Sequence, residues 1–348
     1  MQLTNSSPLE LARQPYVWLL ALAGLVSSVY LSLLWRIEDV AHLGMSGLFL
    51  MAAASLIWDR RSSLTLHSHW LPSSLGAGLV LLSLGYSHYL VGLDSAHFST
   101  EIINLSFFAC RLSPFISLLG VALLMSGFRH LRQFWRELAI IAAMGIPSMI
   151  STTLSDISPI TARFTHFLLS YSGIDAVLKD NIYIYLSLGP NTQGAVKVYE
   201  ACSGLESMNY LFGLSIVCLI MFPLRSRVTM ALVPFAAVSL AFVINSFRVM
   251  LMAILTALQN KESFDYWHDG PGSLSFGLFA VLALGGVYML LMNHDEHQRL
   301  KARSARGEGD FSTLKTKDDY LLPPDLQISL DDIDPSASFD FLETLPKD

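Results

Sequence analysis

The chain has 348 residues, 53% of them apolar and 14% charged, with a mean hydropathy of +0.49 and a formal net charge of −6. Soluble domains carry about 25% charged residues, so this composition excludes an ordinary water-soluble enzyme, and it excludes disorder over most of the length. Residues 296–348 hold 12 acidic and 7 basic side chains, a balance of −5 that leaves the body at −1. No concentrated basic face remains, so no nucleic-acid partner is expected.

A bilayer core of about 30 Å needs about 20 apolar helical residues. Eight runs meet or approach this: 15–35, 41–58, 71–92, 102–127, 137–155, 204–222, 228–258 and 272–292, the second and fifth at the short end. The fold class expected is therefore all-α, a polytopic transmembrane helical bundle of about eight spans. The first run is longer than a signal-peptide apolar region of about 7–15 residues, and only Arg13 precedes it.

Cytoplasmic loops are enriched in Lys and Arg. An internal N-terminus places Arg13, Arg60, Arg61, Arg129, Arg132, Arg136, Arg225 and Arg227 inside, followed by Arg299, Lys301, Arg303 and Arg306 after the last run. Arg36, Arg163, Lys179, Lys197 and Lys261 fall outside, a split of 12 to 5. Both termini are thus expected in the cytoplasm of a multi-pass inner-membrane protein, with the 156–203 and 259–271 loops outside. The organisation expected is a cytoplasmic N-terminus over 1–14, a transmembrane domain over 15–295 and an acidic cytoplasmic tail over 296–348.

Within the 156–203 loop, Phe164, Phe167, Leu168, Tyr171 and Ile174 recur at helical spacing, predicting a helix along the outer membrane surface. A strand-like run from Asn181 to Leu188 follows, then a turn at Gly189-Pro190-Asn191. Residues 304–348 read as disordered, with a docking segment for a cytoplasmic partner near Phe339–Leu345.

Of the three cysteines, Cys110 and Cys218 lie inside apolar runs and read as packing residues; their spacing with Cys202 makes neither a metal site nor a disulfide framework. No cofactor or metal is expected. Ser203-Gly-Leu-Glu206 fits a capping box, predicting a helix that starts at Ser203 with Cys202 just before it. A helix N-terminus favours a thiolate, which Glu206 partly opposes. The plain alternative is a small apolar residue at a helix end.

The seventh run has 31 residues, about 46 Å of helix at ~1.5 Å per residue. Arg248 lies about 30 Å from its cytoplasmic start and so near the outer boundary. Asn245 shares its helix face. An arginine in an apolar run is costly unless paired or hydrated, which makes Arg248 a functional candidate or, alternatively, a snorkelling residue. Arg111, also intramembrane, is expected to be structural, pairing with a carbonyl or lining the bundle. His268 sits beside Trp267 and Asp269 in the outer loop before the last run; by itself it reads as an interfacial residue more often than as a catalyst. His67, His69, His294 and His297 fall on the cytoplasmic side.

The topology brings Cys202, Arg248 and His268 to one membrane face. A Cys paired with a His can attack a peptide carbonyl, the His serving as base and then as acid for the leaving amine. A fixed cation can stabilise the oxyanion. Glu200 and Asn245 are supporting candidates. The resulting thioester can pass to water or to an amine, and the three side chains do not decide which.

At these residues the chain resembles the exosortase/archaeosortase family of polytopic membrane cysteine enzymes, over most of 137–292. The resemblance is carried by Gly145-Ile-Pro147, Cys202-Ser-Gly204, Asn245-x-x-Arg248, and His268 with its following glycines. The phrases Cys-Ser-Gly-Leu-x-Ser-Met, Phe-Arg-Val-Met-Leu-Met-Ala and Phe-Asp-Tyr-Trp-His look most like its cyanobacterial branch. The resemblance implies Cys202 as nucleophile and Arg248 and His268 as essential residues. It implies substrates that are secreted proteins ending in a short motif, one transmembrane helix and a basic cluster, cut beside Cys202 and passed to a surface acceptor. Two departures stand out: the family often has Arg or another non-acidic residue where this chain has Glu206, and the acidic tail lies outside the family core.

Other readings are a transporter, which would want several intramembrane charges around a midplane site, and a non-catalytic scaffold that recruits partners through its tail. No serine-protease or His-Glu-x-x-His signature is visible.

Overall fold

The computed structural model describes residues 14–37, 40–92, 100–153, 156–189, 192–268 and 270–305. Eight long helices fall on the eight apolar runs: α1 (Pro15–Ile37), α2 (Val40–Asp59), α3 (Trp70–Val91), α4 (Thr100–His130), α5 (Trp135–Thr153), α7 (Leu205–Met221), α8 (Arg227–Ala257) and α10 (Pro271–Ala305). Between them lie α6 (Ser158–Tyr171), strands β1 (Asp175–Lys179), β2 (Tyr183–Gly189) and β3 (Thr192–Lys197), and α9 (Lys261–His268). Chain contacts separate Met1–Asp295 from Glu296–Asp348.

Six stretches are long and apolar enough to cross a bilayer: Pro15–Arg36, Val40–Asp59, Trp70–Val91, Cys110–Pro147, Arg227–Ala257 and Pro271–Lys301. Cys110–Pro147 takes in part of α4, which is broken at Gly127 (φ 65°), and part of α5, with a 3-10 turn over Leu131–Phe134 between the two helices. Helix α7 is apolar but has only 17 residues. Large apolar side chains point away from the protein on many of these helices, with Leu81 at 73%, Phe235 at 72% and Leu290 at 70% exposure. A helix that is apolar on its outward face belongs in lipid. The protein is a multi-pass membrane protein.

Interhelical packing follows what lipid allows, where small residues let backbones approach. A Cβ on Gly76 would lie 2.5 Å from the Gly120 carbonyl and one on Gly120 would lie 2.7 Å from that of Gly76, so α3 and α4 meet backbone to backbone. Tyr30, Phe49, Ile140 and Ile141 fill a core between α1, α2 and α5. Leu211, Ala237, Ala241, Ile244 and Leu284 fill a second one between α7, α8 and α10. Arg60, just past α2, is ion-paired with Glu137 in the first turn of α5, and its guanidinium also donates to the Gln133 carbonyl at 3.2 Å. Cys110 is buried and Cys218 half-buried.

The body is the transmembrane helical bundle expected, and the structure adds to or corrects that reading at three places. Between α6 and α7 it carries a small antiparallel sheet of β1, β2 and β3 in the order β1-β2-β3. Only β2 had been legible, because β1 and β3 are 5 and 6 residues long and half-exposed. The 259–271 segment is not a plain loop but carries α9. Helix α10 continues to Ala305 rather than stopping at 292, because Glu, Gln, Arg, Lys and Ala, which favour helix, follow the apolar run. Residues 306–348, including Phe339–Leu345, lie outside the described residues, as do Pro190 and Asn191 of the expected turn.

The α6–sheet unit sits on the C-terminal half of α8. Ala162, Leu169, Ile184, Leu186 and Val198 pack against Val249, Ala253 and Ala257. Helix α6 turns Thr161, Ala162, Thr165 and Leu169 inward and leaves Phe167 and Tyr171 exposed and stacked on each other at 6.1 Å. Ile174 lies beyond its end, in the turn before β1.

Candidate active site

Cys202 ends a 3-10 turn, Glu200–Cys202, that β3 feeds through Val198. The turn is held by its own backbone: Cys202 N–H donates to the Tyr199 carbonyl at 2.9 Å and Ser203 N–H to that of Glu200 at 3.0 Å. Two buried side chains then clamp successive carbonyls. Asn245 Nδ2, on α8, donates to Cys202 O at 3.0 Å, and Thr161 Oγ1, on α6, donates to Ser203 O at 2.8 Å. Each satisfies a carbonyl that the short turn leaves without a helical partner.

The expected capping box does not form. The residue before α7 is Gly204, at φ 88° and ψ 4° with no side-chain cap, so the helix starts at Leu205 rather than Ser203. A left-handed backbone at this point favours glycine, and a Cβ there would also lie 2.5 Å from Asn245 Nδ2. Ser203 Oγ accepts only a long bond from Leu205 N–H at 3.4 Å.

His268 is the last residue of α9. Its Nε2 lies 3.6 Å from Cys202 Sγ. The ring is stacked on Phe264, one turn earlier, with centroids 5.0 Å apart and planes 14° apart. Arg248, on α8, donates from Nη2 to the His268 carbonyl at 2.8 Å. Cys202, Arg248 and His268 are all half-buried. The fold thus brings together residues from three separate elements: Cys202 and His268 directly, and Arg248 through the backbone of His268. Glu200 is exposed and takes part through its backbone carbonyl. Chemically the pair offers a thiol beside an imidazole nitrogen at a half-open position, the arrangement needed for nucleophilic attack on an acyl carbon.

A family model for transmembrane exosortases matches residues 35–285, well over half of the chain. The chain belongs to the transmembrane exosortase family. No curated protein and no solved structure matches it. The matched stretch of this exosortase contains Cys202, Arg248 and His268, together with Asn245, Thr161 and the whole α6–sheet unit.

Glu206, four residues after Cys202, is ion-paired with Arg111 of α4 at 2.9 Å. Arg111 was expected to be structural, pairing with a carbonyl or lining the bundle; it pairs with a carboxylate, because α7 and α4 bring the two together. Glu206 also accepts from the Tyr210 hydroxyl at 2.9 Å. That hydroxyl, donating to Glu206, can only accept from His42 Nδ1 at 3.3 Å. In the neutral ring, His42 Nε2 then accepts from Tyr30 Oη at 3.0 Å, which in turn lies 3.2 Å from Ser46 Oγ. A chain of donors thus runs from Ser46 to the Glu206 carboxylate, and the negative charge four residues after Cys202 is answered by Arg111.

Sequence reasoning missed Thr161, His42 and Tyr210. His42 carries a readable signal, a lone ionisable residue in an apolar run, which calls for a partner. Thr161 carries none, since a threonine on an amphipathic helix is ordinary. Among the described residues, no group of three His, Cys, Asp or Glu is placed to hold a metal ion.

Proposed function

We propose that this exosortase is a thiol-dependent sorting peptidase and transpeptidase acting at the extracytoplasmic face of the inner membrane. The observation that carries the reading is the 3.6 Å approach of Cys202 Sγ to His268 Nε2. His268 takes the thiol proton, and the thiolate attacks the substrate carbonyl to form a C–S bond. The peptide C–N bond then breaks as His268 returns the proton to the leaving amine. The thioester passes to water or to an amine on a surface acceptor. Arg248 fixes the His268 backbone, and its remaining N–H donors are available to a developing oxyanion.

The substrates proposed are secreted proteins ending in a recognition motif, a transmembrane helix and a basic cluster, the cluster remaining in the cytoplasm as the 12-to-5 distribution of Lys and Arg requires of the enzyme itself.

The test is processing of a co-expressed protein with a C-terminal sorting signal by wild type, Cys202→Ala and Cys202→Ser at matched membrane abundance. Both variants are expected to lose processing. Equal processing in all three removes the thiol mechanism and moves a scaffold role to the front. In the same cells, a membrane-impermeant maleimide is expected to label Cys202 without permeabilisation.

A further inference from the structure

The sheet has two outer edges, and they differ. Val198 N–H donates to the Ile182 carbonyl at 2.9 Å, which makes 182–198 a hydrogen-bonded pair. In an antiparallel ladder such pairs recur every second residue. In the observed register Ile184–Val196 and Leu186–Gly194 are therefore the bonded pairs between β2 and β3. Tyr183, Tyr185 and Ser187 consequently bond to β1, and the outward groups on β1 are those of Ala176 and Leu178. The Ala176 carbonyl is already taken, by His166 Nε2 of α6 at 3.0 Å. On β3 the outward N–H and C=O groups belong to Gln193, Ala195 and Lys197. Among the described residues no hydrogen bond reaches them, and Gln193 and Ala195 are exposed.

Lysine on an edge strand is a common guard against strand pairing. Here the Lys197 ammonium is drawn onto the rings of Tyr199 at 4.7 Å and Tyr183 at 5.5 Å, beside the strand. The open edge also leads somewhere. From Lys197 the chain passes through Val198, Tyr199, Glu200 and Ala201 to Cys202. Gly194 lies against α8 at Ala257, where a Cβ would be 2.6 Å from the Ala257 Cα, and the Cys202 carbonyl is bonded by Asn245. Between those contacts α8 rises 12 residues, about 18 Å at ~1.5 Å per residue. The chain from β3 to the turn therefore descends along α8 toward its N-terminal part, and Cys202 follows the end of the strand by five residues.

We infer that the open edge of β3 is the peptide-docking track of the enzyme: the extended segment preceding the scissile bond pairs with Gln193, Ala195 and Lys197 as a fourth, parallel strand. An unpaired edge recognises extended peptide by main-chain hydrogen bonds, whatever the side chains. The direction follows from the descent. A substrate whose remainder after the cut enters the membrane must lie with its earlier residues along β3 and its scissile carbonyl at Cys202. The opposite direction would lift the membrane-spanning remainder away from the bilayer. The inference rests on the sorting-peptidase reading.

The test is Ala195→Pro. Proline lacks the N–H that would meet the substrate, and it is tolerated on an edge strand where that N–H faces outward. Processing of the co-expressed sorting-signal protein is expected to fall about tenfold or more, while membrane abundance and the rate of Cys202 alkylation by iodoacetamide stay at wild-type values. Unchanged processing overturns the inference. Because proline can also disturb the fold, a second measurement uses Cys202→Ala enzyme carrying Gln193→Cys and substrates with single cysteines, cross-linked in membranes by a short bis-maleimide. Cross-links confined to residues before the scissile bond, recurring at every second position, are expected. Cross-links to residues after it, or none at all, overturn the inference. If instead Cys202→Ala leaves wild-type processing intact, it is the sorting-peptidase reading that fails; a Cys202-dependent activity indifferent to Ala195→Pro sinks only the docking track.

Discussion

Gly204 and Asn245 are fitted to each other: the glycine, at φ 88°, leaves a space that the Asn245 amide fills on its way to the Cys202 carbonyl. The space is what allows a polar side chain from α8 to reach the turn carrying the thiol. In the Cys-Ser-Gly sequence the glycine therefore serves the cysteine from two residues away.

Gly204→Ala is expected to disturb this turn before anything else. The left-handed backbone costs an alanine about 1–2 kcal/mol, and the new methyl group collides with Asn245 Nδ2 at 2.5 Å. Processing of a sorting-signal substrate should be lost and thermal unfolding in detergent should move to lower temperature. Asn245→Ala removes the bond and the two nearest colliding atoms but keeps its Cβ, 2.8 Å from the new methyl group, so relief is partial: the double variant should still be less impaired than the sum of the singles.

His268→Ala is expected to lower processing by about 10²–10⁴-fold, the range typical of a lost general acid–base, at unchanged membrane abundance. Arg248→Lys keeps the charge but not the planar fork that meets the His268 carbonyl and still offers donors to a substrate. It should lower the rate of the chemical step more than the apparent affinity for substrate. A loss confined to affinity would mean that Arg248 only binds.

Glu206→Arg brings a second cation against Arg111 and should reduce processing. Combined with Arg111→Glu, which restores opposite charges in reversed order, processing should recover in large part. Because the Arg111 side chain is only 20% exposed, an unanswered charge there is costly, and thermal unfolding in detergent should move to lower temperature in each single variant and recover in the double. Failure of the double variant to recover would assign the effect to the Tyr210 bond instead of the ion pair.

What could be read directly from the chain was the membrane body and which residues to propose as the reacting groups. A run of about 20 apolar residues has one stable form in lipid, a helix that satisfies its own backbone, and the eight helices begin and end within three residues of the eight runs except at the C-terminal end of α10. Cys202, Arg248 and His268 stood out because each is a reactive or costly group next to apolar sequence. The edges of that reading failed where competing local patterns were weak. Ser203 and Glu206 match a capping box, yet Gly204 and the pull of Arg111 and Tyr210 on the carboxylate give the helix a different start. Strands β1 and β3 carry too little alternation to be seen before β2 pairs with them.

The topology deduced from Lys and Arg could bring the three candidate residues to one face of the membrane, but not to one another. Whether Cys202 and His268 stand within reach depends on three elements separated by up to 66 residues. That separation is closed by contacts no local pattern encodes: Thr161 and Asn245 on two successive carbonyls, Phe264 beneath the imidazole, and Arg248 on the backbone of His268. Composition and periodicity determine which segments enter lipid, because that is a property of each segment alone. The 3.6 Å approach of sulfur to nitrogen and the open edge beside it belong to the packed whole, because they arise only when separate segments satisfy each other's polar groups.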